Sequence, residues 1–226
     1  MTLATQHPLA SMLDDAAFGV LPVPDGAVEV FNPPSGPCDA VIAFTGHAVV
    51  AGDVSADWVR RHVHSGRFAE HEHHPVLVPH FLAALADRLG SPPAGVSMLL
   101  AATPTGAAPA GQLDVVDLEP PGWADYRLDV RSYCYRGSSG SGSISIAHGP
   151  AGRWDVWIGN VDGRDHQSTT VRGMELLHAA QSLIPDRAPL YASVPIHSAR
   201  AIRTALATGF RPLGAEVLFC TREPGA

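Results

Sequence analysis

Lysine is missing from this chain: all 15 of its basic residues are arginine. That excludes a Schiff-base lysine, a lysine general base and a P-loop lysine. Any phosphate held here must meet arginine or backbone N–H groups. Cysteine is scarce as well. Cys38, Cys134 and Cys220 are far apart, odd in number and without C-x-x-C spacing, which argues against a disulfide framework or a zinc knuckle. Charged residues make up only 16% of the chain and aromatics 7%. No apolar run approaches the ~20 residues of a membrane span. The first residues show neither the basic n-region nor the apolar h-region of a signal peptide. The expected location is therefore the cytoplasm, with no membrane partner. Positive charge is in deficit, with 15 basic against 22 acidic residues and a net charge of −7. Nucleic acid is not an expected partner, because phosphate contacts need clustered positive charge.

What is present is a chain of 226 residues, 46% apolar. That length makes one domain or two small ones and buries a core without staples. Residues 1–36 are rich in proline and glycine and read as an extended arm. Residues 37–107 read as a small αβ subdomain. Ala40–Phe44 and Ala48–Ala51 look like strands around a Thr-Gly turn, followed by a helix after Ser55. Val78, Phe81, Leu82, Leu85 and Leu89 then mark a second helix, closed by Gly90. VSMLLAA reads as a buried strand. The small, polar stretch 103–111 is the best linker, and residues 108–226 form a second unit. There, LDVVDL, DVRSYCYR, SISIAH and WDVWIGNV read as strands. A polar loop and a helix starting near Arg172 follow. LYASV, the helix SARAIRTALAT and the strand AEVLFCT complete the chain. The fold class is α+β, with a mostly antiparallel central sheet flanked by helices.

The strand–loop–helix passage WDVWIGNV–GRDHQSTTVRG is where chemistry is expected. A helix N-terminus offers unpaired N–H groups and the positive end of its dipole, which suits a pyrophosphate. Ser168, Thr169 and Thr170 add hydroxyls there, and Arg164 and Arg172 add charge.

The stretch from about Gln112 to Arg222 resembles the acyltransferase domain of the GNAT superfamily of N-acetyltransferases. SARAIRTALATGF resembles that family's Asn-x-x-Ala…Gly-Phe signature, VRGMELLHAAQSLIP the helix after its pyrophosphate loop, and PLGAEVLF its closing strand. The region before residue 103 is similar to the extra N-terminal subdomain of actinobacterial members. The resemblance implies an acyl-CoA-dependent N-acyltransferase, with acetyl-CoA or another acyl-CoA as cosubstrate and a small-molecule amine as acceptor. An acyl carrier protein and a second copy of the chain are the partners it leaves open.

The family's loop pattern Arg/Gln-x-x-Gly-x-Gly/Ala falls on Ser168, Thr169, Thr170, Val171, Arg172 and Gly173, where only Gly173 matches. The family's helix-start Asn falls on Ser198, and its thiolate-protonating Tyr on Ala205. These departures support an alternative, a repurposed GNAT-like protein that binds another ligand or carrier or runs a different tailoring reaction.

On the acyltransferase reading, Ile158, Asn160 and Val161 polarise the thioester carbonyl from a splayed strand. Ser168, Thr169, Thr170, Arg172, Gly173 and Ser198 hold the cofactor. His166 is the best-placed base, because imidazole titrates near neutrality. Asp155, on the strand before the loop, is a second base candidate; its alternative is a solvated residue or an ion-pair member. His197, just before the last helix, is the third catalytic candidate, its alternative being a capping or surface histidine. Tyr133 and Tyr135 could donate to a thiolate or simply pack. A further cluster, His62, His64, His71, His73, His74 and His80, could ligate a metal if His71 and His74 sit at i and i+3 on a helix, but it matches no fixed zinc motif; the alternative is a solvated loop, and no metal ligand is assigned.

Overall fold

The computed structural model describes residues 6–63, 75–104, 106, 109–118, 120, 122–159 and 166–220, with residues 166–169 described as backbone only. Among the described residues, ten strands form one continuous sheet. In chain order they are β1 (Val28–Phe31), β2 (Cys38–Phe44), β3 (His47–Ala51), β4 (Ser97–Ala102), β5 (Gln112–Val116), β6 (Leu128–Gly137), β7 (Gly140–His148), β8 (Trp154–Gly159), β9 (Leu190–Pro195) and β10 (Arg211–Cys220). Their order across the sheet is β1-β3-β2-β10-β4-β9-β8-β7-β6-β5. Among the described pairings, β1 with β3 and β8 with β9 are parallel and the rest antiparallel. The fold is α+β, as the run of strands and helices leads one to expect.

The helices are α1 (Pro8–Ala17), α2 (Ala56–Val63), α3 (Pro79–Leu89), α4 (His166–Gln181) and α5 (Ala199–Ala207). Proline opens both α1 and α3, where its missing N–H costs no helical bond. Gly90 ends α3 at φ 67°, a left-handed conformation that a side chain resists.

Side-chain alternation along the strands sorts the core into two faces. On one face α1 packs its Leu9 and Leu13 against Ile42, Leu99, Leu218 and Tyr191. On the other face α2 and α3 cover one end, over Val41, Val50, Val217 and Phe219. The second end of that face holds α4 and α5, over Leu100, Ile144, Val156 and Ala192.

Two features differ from the sequence expectation. Residues 6–36 do not run as an extended arm, because α1 buries Leu9 and Leu13 completely and β1 joins the sheet edge. Burying each leucine stabilises the fold by about 1.5–3 kcal/mol. Proline and glycine content obscured this, since Pro8 starts the helix rather than breaking it. Second, the chain's two halves share one sheet. β10, the closing strand, lies between β2 and β4 and pairs with both. β4 in turn separates β10 from β9.

Candidate active site

β8 and β9 run parallel for only two residue pairs, Trp154 with Leu190 and Asp155 with Tyr191. Beyond them each strand stays bound to its outer neighbour. β8 follows β7 as far as Gly159, paired with Ser143, and β9 follows β4 as far as Pro195, paired with Ser97. The two ribbons therefore splay, and the inner edges of residues 156–159 and 192–195 have no ladder partners across the gap.

A cavity of about 560 Å³ fills the opening. That volume lies in the range of small-molecule sites, roughly 300–1,000 Å³. Its walls come from both faces of the sheet. Val156, Ile158, Ala192 and Val194 reach it on the helical face, with Gly173 and Leu177 of α4, Ser198 just before α5, and Ala201, Thr204 and Ala205 of α5. Trp157, Ser193 and Trp123 line it as well. Alternation along the strands puts Trp157 and Ser193 on the face opposite Val156 and Ala192. The opening thus passes through the sheet. The indole of Trp157 lies so close over Gly159 that a Cβ there would collide with the ring.

Beneath the apex lies a buried charge cluster. Arg153 bonds Asp155 Oδ1 at 2.7 Å and grips Glu216 with two bonds of 2.7 and 3.0 Å. Arg127 bonds Asp155 Oδ2 at 3.0 Å and donates to the Trp123 carbonyl at 3.2 Å. Its guanidinium also lies 4.5 Å from the centre of the Trp123 ring. Ser193 donates to Glu216 Oε1 and accepts from Arg153 at 3.2 Å. Two guanidinium groups balance two carboxylates, so the cluster is neutral and fully bonded, as buried charge must be. Burial alone would raise the Glu216 carboxyl, but the charge of Arg153 and the bonds from Arg153 and Ser193 hold it below its ordinary value.

The sequence-derived candidates fall in several places. Ile158, Gly173 and Ser198 line the cavity. Ser198 precedes α5 but makes no side-chain cap bond. Asp155 is not a free base: it is 1% exposed, bonded to two arginines and no part of the cavity wall. Its ion-pair alternative is the one observed. His197 is exposed and also outside the wall. Asn160 and Val161 lie outside the described residues, as do Arg164, His64, His71, His73 and His74. The side chains of His166, Ser168 and Thr169 are likewise not described.

α4 begins at His166, six residues before the start expected near Arg172. This is a correction with a chemical consequence. The free N–H groups of a helix belong to its first turn, so those from Thr170 through Gly173 are spent on carbonyls four residues back. Arg172 donates to the Ser139 carbonyl at 2.7 and 3.1 Å, tying α4 to the turn between β6 and β7. Glu175 accepts from Ser138 and Ser139 in the same turn. Tyr135 is buried against α4, and burial followed by the nearby Glu175 charge raises its hydroxyl pKa. Tyr135 and Tyr133 belong to the core cluster under that helix and do not line the cavity.

Sequence reasoning missed Trp123, Trp157 and Ser193. Trp123 sits in a proline-broken segment with no periodicity to place it. Its signal was the Arg127 four residues on, a spacing that lets a guanidinium stack on an indole. Of the histidine cluster, His62 stacks on Trp58, its Nδ1 2.8 Å from that residue's carbonyl oxygen. Among the described residues no group of three or more His, Cys, Asp or Glu side chains is placed to hold a metal. Among them, too, no helix is long and apolar enough to cross a membrane.

No protein-family model matches the chain, and no curated protein matches it. In fold it is similar to a GCN5-related N-acetyltransferase from Kribbella flavida, at 14% identity and a TM-score of 0.37, over 64% of each chain. It is also similar to a functionally unknown conserved protein from Staphylococcus epidermidis ATCC 12228. The identity there is 12% and the TM-score 0.40, over 65% of this chain and 68% of that one. A GNAT-family protein from Novosphingobium aromaticivorans DSM 12444 is similar at 17% identity and a TM-score of 0.36, over 57% and 66%. The likeness spans just under two thirds of the Kribbella chain, and at these identities it concerns fold alone.

Proposed function

We propose that the protein transfers an acyl group from an acyl-CoA thioester to a small amine in the opening between β8 and β9. The observation that carries this reading is the splay after Asp155 and Tyr191, which leaves strand edges unpaired around a cavity open to both faces of the sheet. Backbone N–H groups on the freed edge of β8, with Ile158 the expected donor, would polarise the thioester carbonyl. The donor would enter between α4 and α5, where Ser198 and Arg200 line the wall. The amine would approach from the side of Trp123, Trp157 and Ser193, within reach of the ring faces that favour a cation.

The amine nitrogen attacks the carbonyl carbon, the C–S bond breaks, and the amine's proton passes to a base. We assign that base to His166. It opens α4, seven residues before the cavity-lining Gly173. The departing thiolate takes a proton from solvent, since Ala205 stands where the resemblance puts a tyrosine.

A second reading has its own observation. With α4 beginning at His166 and Val171 exposed on it, Ser168–Gly173 does not offer a bare backbone cradle. A repurposed site would then take a ligand without pyrophosphate, such as an acyl group on a carrier arm.

Isothermal titration with CoA and acetyl-CoA separates the two. Micromolar binding, followed by acetylation of amines in a screen, is the expected result. No heat at millimolar ligand would reject CoA as donor and favour the second reading. In an active preparation, His166→Ala lowers kcat at least about tenfold with KM little changed, as loss of a general base does. An unaltered pH–rate profile in that variant removes His166 from the role.

A further inference from the structure

Cys38 opens β2 and Cys220 ends β10, and the two are directly opposed partners in the antiparallel ladder. Opposed residues project to the same face, with Cα atoms about 4.5–5.5 Å apart. A disulfide closes over about 4.4–6.8 Å. Neither cysteine is in a disulfide; Cys38 is buried and Cys220 half-buried. They also converge on one short segment. Cys38 Sγ donates to the Tyr126 carbonyl at 3.5 Å, and Cys220 Sγ to the Asp125 carbonyl at 3.4 Å. The third thiol, Cys134, is on β6, five strands from β10 across the sheet.

We propose that Cys38 and Cys220 form a reversible dithiol–disulfide site that reacts with low-molecular-weight disulfides and locks β10 to β2. The half-buried Cys220 reacts first. Its thiolate attacks the reagent, whose S–S bond breaks as a mixed disulfide forms on Cys220 and one small thiolate leaves. Cys38 then loses its proton to water and attacks the Cys220 sulfur. The protein disulfide forms and the second small thiolate leaves. Two protein thiols are oxidised and one reagent disulfide is reduced to two thiols. Burial, then the neighbouring Cys220, pushes the Cys38 thiol well above its usual range. The second step is therefore the slow one and quickens as pH rises.

The lock falls where it has the largest effect. It closes a loop from residue 38 to residue 220, and the entropy removed from the unfolded chain grows with loop length. It also fastens the one strand that pairs with both β2 and β4.

The test uses the reduced full-length chain and oxidised glutathione, with unreacted thiols alkylated under denaturing conditions before peptide mapping. The expected result is a peptide cross-linking Cys38 to Cys220 and an alkylated Cys134. The melting temperature rises by about 5–10 °C and falls back on reduction. Cross-linking is faster at pH 9 than at pH 7. Cys38→Ala stops at a mixed disulfide on Cys220, and Cys220→Ser takes up no glutathione on Cys38. Three alkylatable thiols after treatment, a cross-link through Cys134, or a lasting mixed disulfide in the unmutated chain would each overturn the proposal. The mapping of the unmutated chain decides even if a variant does not fold.

Discussion

Asp155 and Tyr191 are the last residues that β8 and β9 share as partners, and Arg153 holds both. Its guanidinium bonds Asp155 at 2.7 Å and lies 5.7 Å from the centre of the Tyr191 ring. The strands part immediately beyond this pair. The apex of the opening is thus anchored by a buried cation rather than by apolar packing alone.

Removing that cation has a defined cost. Arg153→Met leaves Asp155 and Glu216 buried with fewer partners and no compensating charge from that side. A broken buried pair costs about 3–5 kcal/mol. Urea denaturation should show that loss as a lower midpoint with an unchanged slope. A loss below about 1 kcal/mol would mean that water or a rearranged Arg127 satisfies both carboxylates.

The same cluster sets an acid limit. Glu216 has a lowered pKa in the folded chain, because Arg153 and Ser193 outweigh its burial. The unfolded chain then binds the proton more readily. This contribution to stability is full above the ordinary carboxyl value of 4.5 and is lost as pH falls through the lower folded value. Unfolding free energies measured from pH 7 to pH 3 should fall below about pH 4.5. Glu216→Gln should be less stable at pH 7 and show a shallower acid slope. An equal slope in the variant would place the acid sensitivity in other carboxylates.

The opening can be blocked without touching the core. Ala201 is exposed on α5 and lines the cavity wall. Ala201→Trp places an indole at the mouth at a helix-propensity cost of about 0.5 kcal/mol. CoA affinity should fall at least about tenfold while the melting temperature moves by only a few degrees. The exposed Arg203→Trp on the same helix, outside the wall, serves as the control. Equal affinity in the two variants would move the ligand out of the opening.

Local structure was largely legible in the sequence. The apolar run of β2, the i, i+3, i+4 stripe of α3 with Gly90 behind it, and the Gly-Ser turn between β6 and β7 each carry their own signal. These are decided by neighbours within a few residues, so a single sequence displays them. Ile158, Gly173 and Ser198 were within reach for the same reason: they flank a strand end, a helix and a helix start whose order could be read directly. The position of α4's first turn was not, because its polar residues suit a loop and a helix terminus equally.

The rest was settled by partners distant in the chain. Nothing around Asp155 announces Arg127 and Arg153 as joint holders of its charge, nor Glu216 sixty-three residues beyond Arg153 as the second carboxylate. Bonds from the two arginines turned a candidate base into a member of a buried ion-pair cluster. Cys38 and Cys220, remote in sequence, became opposed neighbours only when β10 entered between β2 and β4. The chain by itself determined which segments are strands and helices, and that no lysine chemistry takes place. Tertiary packing decided where β8 and β9 part, which side chains face the gap, and which charges are neutralised. Those outcomes depend on long-range strand order and on solvent exclusion, and neither is a property of any local stretch.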